Sequence, residues 1–404
     1  MIQVAFVYVH EVLVGHLEFL GFDANASSGY DHRFVFDSAW LNDARRPVLG
    51  QQLEDRRPKP VLSSGVPNWF AHLLPTRTVR RIVAKAVGLD EDSSDLELLV
   101  AVGQDLPGAV TVQRALSAEG GVVAGRRPEV PPGTFAFGLH GVQMKASYRR
   151  EDGAFVCPVF GEAGDYIAKF EDPQHGRMPE VEHATTLWGR LSGIETHRVR
   201  ISSIHSERFV LPEGVKPRGG VVLLAERFDR VEGGGLVHVE DFGQIIGCTP
   251  SHPGLFYGSY EQMARLVVKL CPEDVSEWIR RLVFMLVCGN GDAHWKNWGV
   301  IYTDRRHPRL SPAYDLVSGV VFGYDDSLAL TLGGSQRYED AKPARWDKLA
   351  RALEMDHAEL ARVAREARAQ AEAVWSQDRH ELGFDAREVA MIERHLQRLP
   401  SWGL

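Results

Sequence analysis

Two stretches near the start, Val4-Ala5-Phe6-Val7-Tyr8-Val9 and Val12-Leu13-Val14-Gly15-His16-Leu17-Glu18-Phe19, are rich in β-branched and aromatic residues and read as neighbouring strands of a meander. Helical spacing begins with Trp69, Phe70, Leu73 and Leu74 before Pro75. It continues from Val79 to Val87, stopped by Gly88, and recurs from Asp95 to Val102, stopped by Gly103. Gly120-Gly121 and the Pro-rich run over 126–133 are the linker candidates. Beyond them, 155–160, 165–170 and Val221–Phe228 read as strands, the last apolar enough to be buried on both faces. A helix is predicted between them, over Glu180–Gly193. After about residue 258 the pattern turns helical, over Tyr260–Leu270, Ser276–Cys288 and a long run from Arg345 to Gln370. The pattern therefore predicts an α+β protein with a mixed accessory unit over 1–125, a strand-rich lobe over 126–250 and a helical lobe over 251–404. No internal repeat is apparent.

With 404 residues the chain can bury more than one packing unit, and its composition (44% apolar, 25% charged) is that of a soluble globular protein. A net charge of −8 argues against wholesale non-specific nucleic-acid binding, which needs a basic surface. The cluster Arg77, Arg80, Arg81 and Lys85 reads as a solvated helix face. The four cysteines, Cys157, Cys248, Cys271 and Cys288, lie far apart and form no C-x-x-C pair, so buried free thiols are expected. There is no signal-like start and no apolar run long enough to span a bilayer, which predicts a cytoplasmic protein.

The chemistry concentrates in Gly289-Asn290-Gly291-Asp292-Ala293-His294-Trp295-Lys296-Asn297, which follows the apolar run Leu282–Val287. Asp292 and Asn297 lie five positions apart, and Ser311-Pro312-Ala313-Tyr314-Asp315 supplies a second acidic loop. Phosphoryl transfer needs a carboxylate to accept the proton of the attacking hydroxyl, and a divalent cation held by an amide oxygen and a second carboxylate. Asp292 suits the first task; Asn297 and Asp315 suit the second, as hard oxygen ligands for Mg²⁺. An Asp and an Asn at this spacing can also merely cap a loop. The convergence of all three residues favours the catalytic reading, and the glycines at 289 and 291 would permit an unusual loop backbone.

Lys169 ends Tyr-Ile-Ala-Lys-Phe, a strand whose form echoes the Val-Ala-Ile-Lys pattern of protein kinases, and could present its ammonium to phosphates. An edge-strand lysine would look the same. Glu182 on the following helix could pair with it, with Glu180 as an alternative. Gly141-Val142-Gln143-Met144-Lys145 resembles a short phosphate-covering turn, although it lacks the G-x-G-x-x-G form. Glu226-Arg227-Phe228-Asp229-Arg230 ends the apolar strand where a kinase joins its lobes, so backbone groups there could read an adenine edge, with Phe228 over the ring. The histidines show no metal-ligand spacing, and no G-x-S-x-G elbow points to a hydrolase.

These motifs, in this order, resemble the HipA family of bacterial serine/threonine kinases, the toxin half of HipBA-type toxin–antitoxin systems. The resemblance also covers Tyr8–Leu17, Phe34–Leu41, Trp69–Pro75, Gly103–Ala109, and Glu240-Asp241-Phe242-Gly243-Gln244. It implies a bilobal protein-kinase-like core carrying an N-terminal accessory unit, with ATP and Mg²⁺ as cofactors. By matching position, Asp292 would be catalytic and Asn297 and Asp315 would hold Mg²⁺. Gly141, Val142, Gln143 and Lys145 would cover the phosphates and Lys169 would contact them. Glu226 and Phe228 would line the adenine site, Asp229 and Gln244 would lie near the ribose, and His294, Lys296 and Tyr314 would complete the nucleotide site.

Related kinases phosphorylate an aminoacyl-tRNA synthetase, and a small helix-turn-helix antitoxin restrains kinase and operon, so DNA would be reached only through that partner. Two departures stand out. Gly138 occupies the place of a serine whose autophosphorylation silences several members, with Ser147 nearby as a surrogate. Asp315 is followed by Leu316-Val317 rather than Phe-Gly. A kinase for a small molecule, or a DNA-associated co-repressor acting mainly as a binding module, are the other classes compatible with the residues.

Overall fold

The computed structural model describes residues 3–21, 29–75, 77–118, 121–124, 145–156, 164–171, 176–211, 219–231, 233–251, 253–323, 327–342 and 345–402. Strand β1 (Val4–Val9) buries every second residue, and the chain returns as β2 (Val12–Phe19). His10 and Glu11 make the reversal at φ +49° and +66°, the left-handed pair that a two-residue hairpin needs to match the strand twist. β3 (His32–Phe36), α1 (Ser38–Asn42), α2 (Gln51–Glu54), β4 (Val61–Ser63) and α3 (Asn68–Ala71) follow. Next come α4 (Arg77–Ala86), α5 (Asp95–Ala101), β5 (Val110–Ala118) and β6 (Gly121–Ala124). The described strands form one antiparallel sheet in the order β4-β3-β2-β1-β5-β6. α5 starts on a reciprocal cap between Ser94 and Glu97, which satisfies donors that the first turn leaves unpaired. The proposed linker over 126–133, and Cys157 to residue 160 of the predicted strand, lie outside the described residues.

The second sheet holds β7 (Lys145–Glu151), β8 (Ala154–Val156) and β9 (Tyr166–Phe170), then, beyond helix α6 (Met178–Leu191), β10 (Val199–Ser203), β11 (Arg208–Phe209) and β12 (Val221–Glu226). Its order is β10-β12-β9-β7-β8-β11. The strand predicted over Val221–Phe228 ends at Glu226, because Phe228 turns into a short hairpin, β13 (Arg230–Val231) and β14 (Gly235–Leu236). The two large sheets are not separately packed. Phe34, Leu99 and Val112 of the accessory unit share one buried cluster with Tyr148, Ala168, Phe170 and Val222.

The chain continues through β15 (His238–Asp241), α7 (Phe242–Ile246), α8 (Tyr260–Leu270) and α9 (Val275–Cys288). β16 (Gly299–Tyr302) pairs with both β15 and β17 (Arg309–Leu310), and β18 (Ser327–Leu332) pairs with β19 (Ser335–Arg337). α10 (Asp347–Ala352), α11 (His357–Asp378) and α12 (Ala386–Arg398) close the fold. The single helical run expected over 345–370 is two helices. Glu354 takes φ +53°, and the Asp356 carboxylate accepts from Ala358 and Glu359 N–H to start α11 afresh.

α9 is buried on nearly every side among Trp188, Trp298, Leu316 and Leu360. It stops at Gly289, whose left-handed φ of +69° lets its N–H reach Met285 O. A side chain there would also collide with Val320, its Cβ lying 2.6 Å from Val320 Cγ1. This stop aims the next residues into the space between the lobes; Gly291 needs no positive φ. No helix among the described residues is long and apolar enough to cross a membrane.

Candidate active site

The segment after α9 folds on itself through short local bonds. Asn290 Oδ1 accepts from Asp292 N–H (3.0 Å), while Asp292 O accepts from His294 N–H (2.7 Å) and from Asn297 Nδ2 (2.7 Å). Spending the Asn297 amide nitrogen in this way leaves its carbonyl oxygen as the group available to a ligand. Asp292 itself is not a capping group, since its carboxylate is 68% exposed toward a cleft of about 380 Å³. The cleft runs from the hinge residues Glu226–Asp229 to the loop carrying Asp292, and Lys145, Lys169, Asn297, Tyr314 and Asp315 also line it. Enclosure by the cleft floor pushes the Asp292 carboxyl upward; His294, 3.8 Å away, opposes this and Asp315 adds to it.

Opposite stands a charged cluster that β9, β7 and α6 assemble. Lys169, buried on β9, donates to both Glu182 and Asp315, and Lys145 Nζ lies 3.5 Å from Asp315 Oδ2. The alternative partner Glu180 sits with Arg177 instead (3.6 Å), which resolves the choice between the two glutamates. The reason is helical phase: two residues along α6 is over half a turn, so only one glutamate faces β9. Burial works against the Lys169 ammonium, but the two carboxylates outweigh it and hold its pKa up. Asp315, where burial alone would raise the pKa, is held far below the usual range by Lys145 and Lys169. Glu182, the deeper acid, is pushed upward by desolvation. Asp315 takes φ +53°, a conformation unfavourable for a residue with a side chain and of the kind that concentrates at functional sites.

The remaining predicted residues are distributed unevenly. Phe228 lies against Tyr314, with ring centroids 5.8 Å apart, and both face the cleft. Glu226 ends β12, with its side chain toward solvent. Asp229 touches the cleft, but its carboxylate is spent elsewhere: Arg227, Arg230 and Gly108 N–H all donate to it. Gln244 is likewise engaged, its amide accepting from Asp241 N–H and donating to Trp69 O (3.2 Å). Lys296 turns away from the acidic cluster; its Nζ donates to His72 O at 2.9 Å. Gly141, Val142 and Gln143 lie outside the described residues, as do Gly138 and His140. Ser147 is fully buried in β7 with its hydroxyl beside Arg227, so it does not offer an accessible acceptor in place of Gly138.

Two further contributors stand beside these: His197, which carried no sequence signal, and Asp241, which the sequence offered only as part of the Glu240–Gln244 motif. His197 is buried beside the acidic cluster, bonded through Nδ1 to Ala313 O (2.9 Å), and desolvation brings it down to about 4, so it is a neutral ring at pH 7. Asp241, at the N-cap of α7, is brought opposite Gly299 by the β15–β16 register and so beside Lys296 (3.7 Å). The repeated spacing of a Lys or His with an acid cannot reveal such a pairing, because register between distant strands decides it.

Comparison with known proteins bears on the family and the fold. Residues 5–113 match the HipA N-terminal domain family and residues 137–375 the HipA-like C-terminal domain family. Two Sinorhizobium fredii proteins, both kinases by name, are similar over most of their length: Y4dM is 33% identical over 381 residues, 90% of each chain. Y4mE is 26% identical over 358 residues, 80% of each chain. A Shewanella oneidensis MR-1 HipA, solved with HipB and its operator DNA, matches in fold with a TM-score of 0.69 at 18% identity, covering 98% of this chain and 95% of that one.

Proposed function

Because the chain belongs to the HipA family, we propose that it is an ATP- and Mg²⁺-dependent kinase that phosphorylates serine or threonine on a protein. The observation that carries this reading is the pairing across one cleft: Lys169 held between Glu182 and Asp315 on one side, an exposed Asp292 on the other. Asp292 accepts the proton of the acceptor hydroxyl as that oxygen bonds to the γ-phosphorus and the bond from phosphorus to the β–γ bridging oxygen breaks, releasing ADP. Lys169 and Lys145 supply fixed positive charge to the phosphates, in a site whose dipoles need not reorganise. Phe228 and Tyr314 offer flat faces at the hinge end for the adenine.

The donor set suits a hard cation. Asn297 and Asp315 present oxygen atoms and would hold Mg²⁺. Among the described residues no cluster of three or more His, Cys, Asp or Glu could hold a metal by itself. Mg²⁺ held by Asn297 and Asp315 would neutralise charge on the transferring phosphoryl group. The solved HipA neighbour was captured with HipB and its operator DNA, which supports a HipB-like antitoxin as partner here; the resemblance to HipA kinases is the ground for proposing a translation component, such as an aminoacyl-tRNA synthetase, as target.

The test is transfer of labelled γ-phosphate from ATP by wild-type and Asp292→Asn protein, each alone and with bacterial lysate, with labelled bands identified by mass spectrometry. A discrete band lost in Asp292→Asn, with nucleotide binding retained, supports the proposal and names the substrate. Normal labelling by Asp292→Asn refutes the assignment of the base. Nucleotide binding without any labelled protein turns the reading toward a small-molecule kinase or a regulatory binding module.

A further inference from the structure

Lys296 belongs to the loop that carries Asp292 and Asn297, yet its side chain leaves the cleft's acidic cluster and crosses to the accessory unit. The ammonium is buried, with His72 O at 2.9 Å and Asp241 Oδ2 at 3.7 Å. His72 follows α3, and its ring is fully enclosed, with Nδ1 3.3 Å from Asp241 Oδ1 and Nε2 2.9 Å from Cys248 O. Asp241 thus joins the catalytic loop to the accessory unit by meeting Lys296 and His72 together. Lys296 is braced from the other side too, its carbonyl oxygen accepting from Tyr314 OH at 2.7 Å, next to Asp315. The seam around it is closely fitted: Asn68 Nδ2 donates to Gly247 O (2.9 Å), and Gln244 Nε2 to Trp69 O (3.2 Å). A Cβ on Gly243 would come within 2.4 Å of His72 Cε1.

Asp292 is held almost wholly by bonds inside its own short loop; Tyr260 OH to Ala293 O (3.1 Å) and Trp295 Nε1 to Tyr257 O (2.7 Å) fix that loop to the helical lobe, and Lys296 is its attachment on the opposite side, to the accessory unit. A buried lysine with one donor on a backbone carbonyl and a carboxylate 3.7 Å away is such an attachment, and burial leaves it poorly placed to serve as a mobile phosphate ligand. We propose that Lys296 is a positioning residue, through which the accessory-unit segment 68–75 sets the catalytic loop. The accessory unit is then part of the transfer apparatus. The proposal rests on the kinase reading above.

Two substitutions reach this attachment from opposite sides. Lys296→Met removes the tether while keeping a long flexible side chain; Lys296→Arg keeps the charge. Gly243→Ala leaves every residue of the acidic cluster and the loop intact and favours the helix of α7, but drives a methyl group into His72. The readout is labelling of the lysate band as ATP is varied, with nucleotide binding measured directly on the same samples as the check on folding. The expected result is a fall in maximal rate of about tenfold to a hundredfold for Lys296→Met, as small misplacements of catalytic groups produce. The apparent KM for ATP and nucleotide binding should stay within about twofold of wild type, with partial recovery in Lys296→Arg and a similar fall in Gly243→Ala. An unchanged maximal rate in Lys296→Met overturns the proposal. So does a loss confined to the KM for ATP, which would make Lys296 a nucleotide contact. A wild-type protein that labels nothing overturns the kinase reading itself, and the proposal with it.

Discussion

Glu240 offers the sharpest quantitative test of how the accessory unit is attached. Its carboxyl is buried on β15 and takes Trp69 Nε1 at 2.8 Å, Gln51 N–H at 3.1 Å and Tyr302 OH at 2.5 Å. Desolvation outweighs these donors and raises its pKa from 4.5 to about 7. The folded protein therefore holds a proton over an interval in which the unfolded chain has already lost it. Its stabilising contribution is complete below the unfolded pKa and is lost as pH rises through about 7. At about 1.4 kcal/mol per pH unit, the whole shift amounts to about 3 kcal/mol. For a chain of this length that corresponds to roughly 4 °C in thermal midpoint. Glu240→Gln imitates the protonated acid and cannot ionise. Thermal unfolding of both proteins at pH 4.0, 5.0, 6.0, 7.0 and 8.0 and constant ionic strength should give near-equal midpoints at pH 4.0, below the unfolded pKa. The glutamine variant should gain on the wild type progressively between about pH 4.5 and 7 and hold a lead approaching that figure above it. Parallel curves across the range, or a wild type that gains on the variant as pH rises, would refute the reasoning.

Other expectations follow from the same geometry. Glu182→Ala should leave the buried Lys169 with Asp315 alone and destabilise the fold by up to about 3–5 kcal/mol, measurable by urea denaturation, and should weaken ATP binding in titration calorimetry. A variant as stable as wild type would mean Asp315 alone satisfies the ammonium. Gly289→Ala must adopt a left-handed φ and press on Val320, costing about 1–2 kcal/mol from backbone strain alone, with phosphate transfer reduced as well because the stop of α9 aims the loop. Unaltered stability there would show that the chain past α9 can re-route.

Much of the architecture could be read before any coordinates, where one element settles its own shape. Tyr260–Leu270 is a helix over the predicted residues because Ser259 and Gln262 form a reciprocal cap at its start and its apolar period is unbroken. The long run beyond 345 misled because the apolar period survives across the break, while the signal for the break, an Asp N-cap after a left-handed Glu354, is local and weak. At the candidate site, Asp292, Asn297, Asp315 and Lys169 stood out because phosphoryl transfer limits which side chains can serve. Lys296, Asp229 and Gln244 looked equivalent to them in sequence. Their polar atoms are instead taken within the protein: Lys296 by the distant His72 O, Asp229 by its neighbours Arg227 and Arg230 as well as by Gly108 N–H, and Gln244 by Asp241 N–H and Trp69 O. No short motif encodes which of two available partners a side chain will choose.

The same long-range bonds bear on how the molecule divides. A chain whose accessory unit were a tethered module would meet the remaining lobes through a wet, replaceable surface. Here the accessory unit shares an apolar cluster with the strand-rich lobe. It also closes a buried charge network on the hinge: Arg227 donates to Asp105 at 2.6 Å and to Leu106 O at 3.1 Å, and Arg230 to Asp105 at 3.0 Å and to Gly108 O at 3.1 Å. Removing Asp105 would leave two buried guanidinium groups to share the single carboxylate of Asp229, which costs more than an exposed pair is worth. The hinge that frames one end of the cleft and the loop that carries Asp292 at the other are therefore both fastened to the same accessory unit. Relative motion of the lobes must then either carry that unit along or break one of the two fastenings. Of these the Lys296 attachment, a single ammonium on one carbonyl and one more distant carboxylate, is the weaker. The catalytic loop, rather than the hinge, is where displacement of the accessory unit would first be felt.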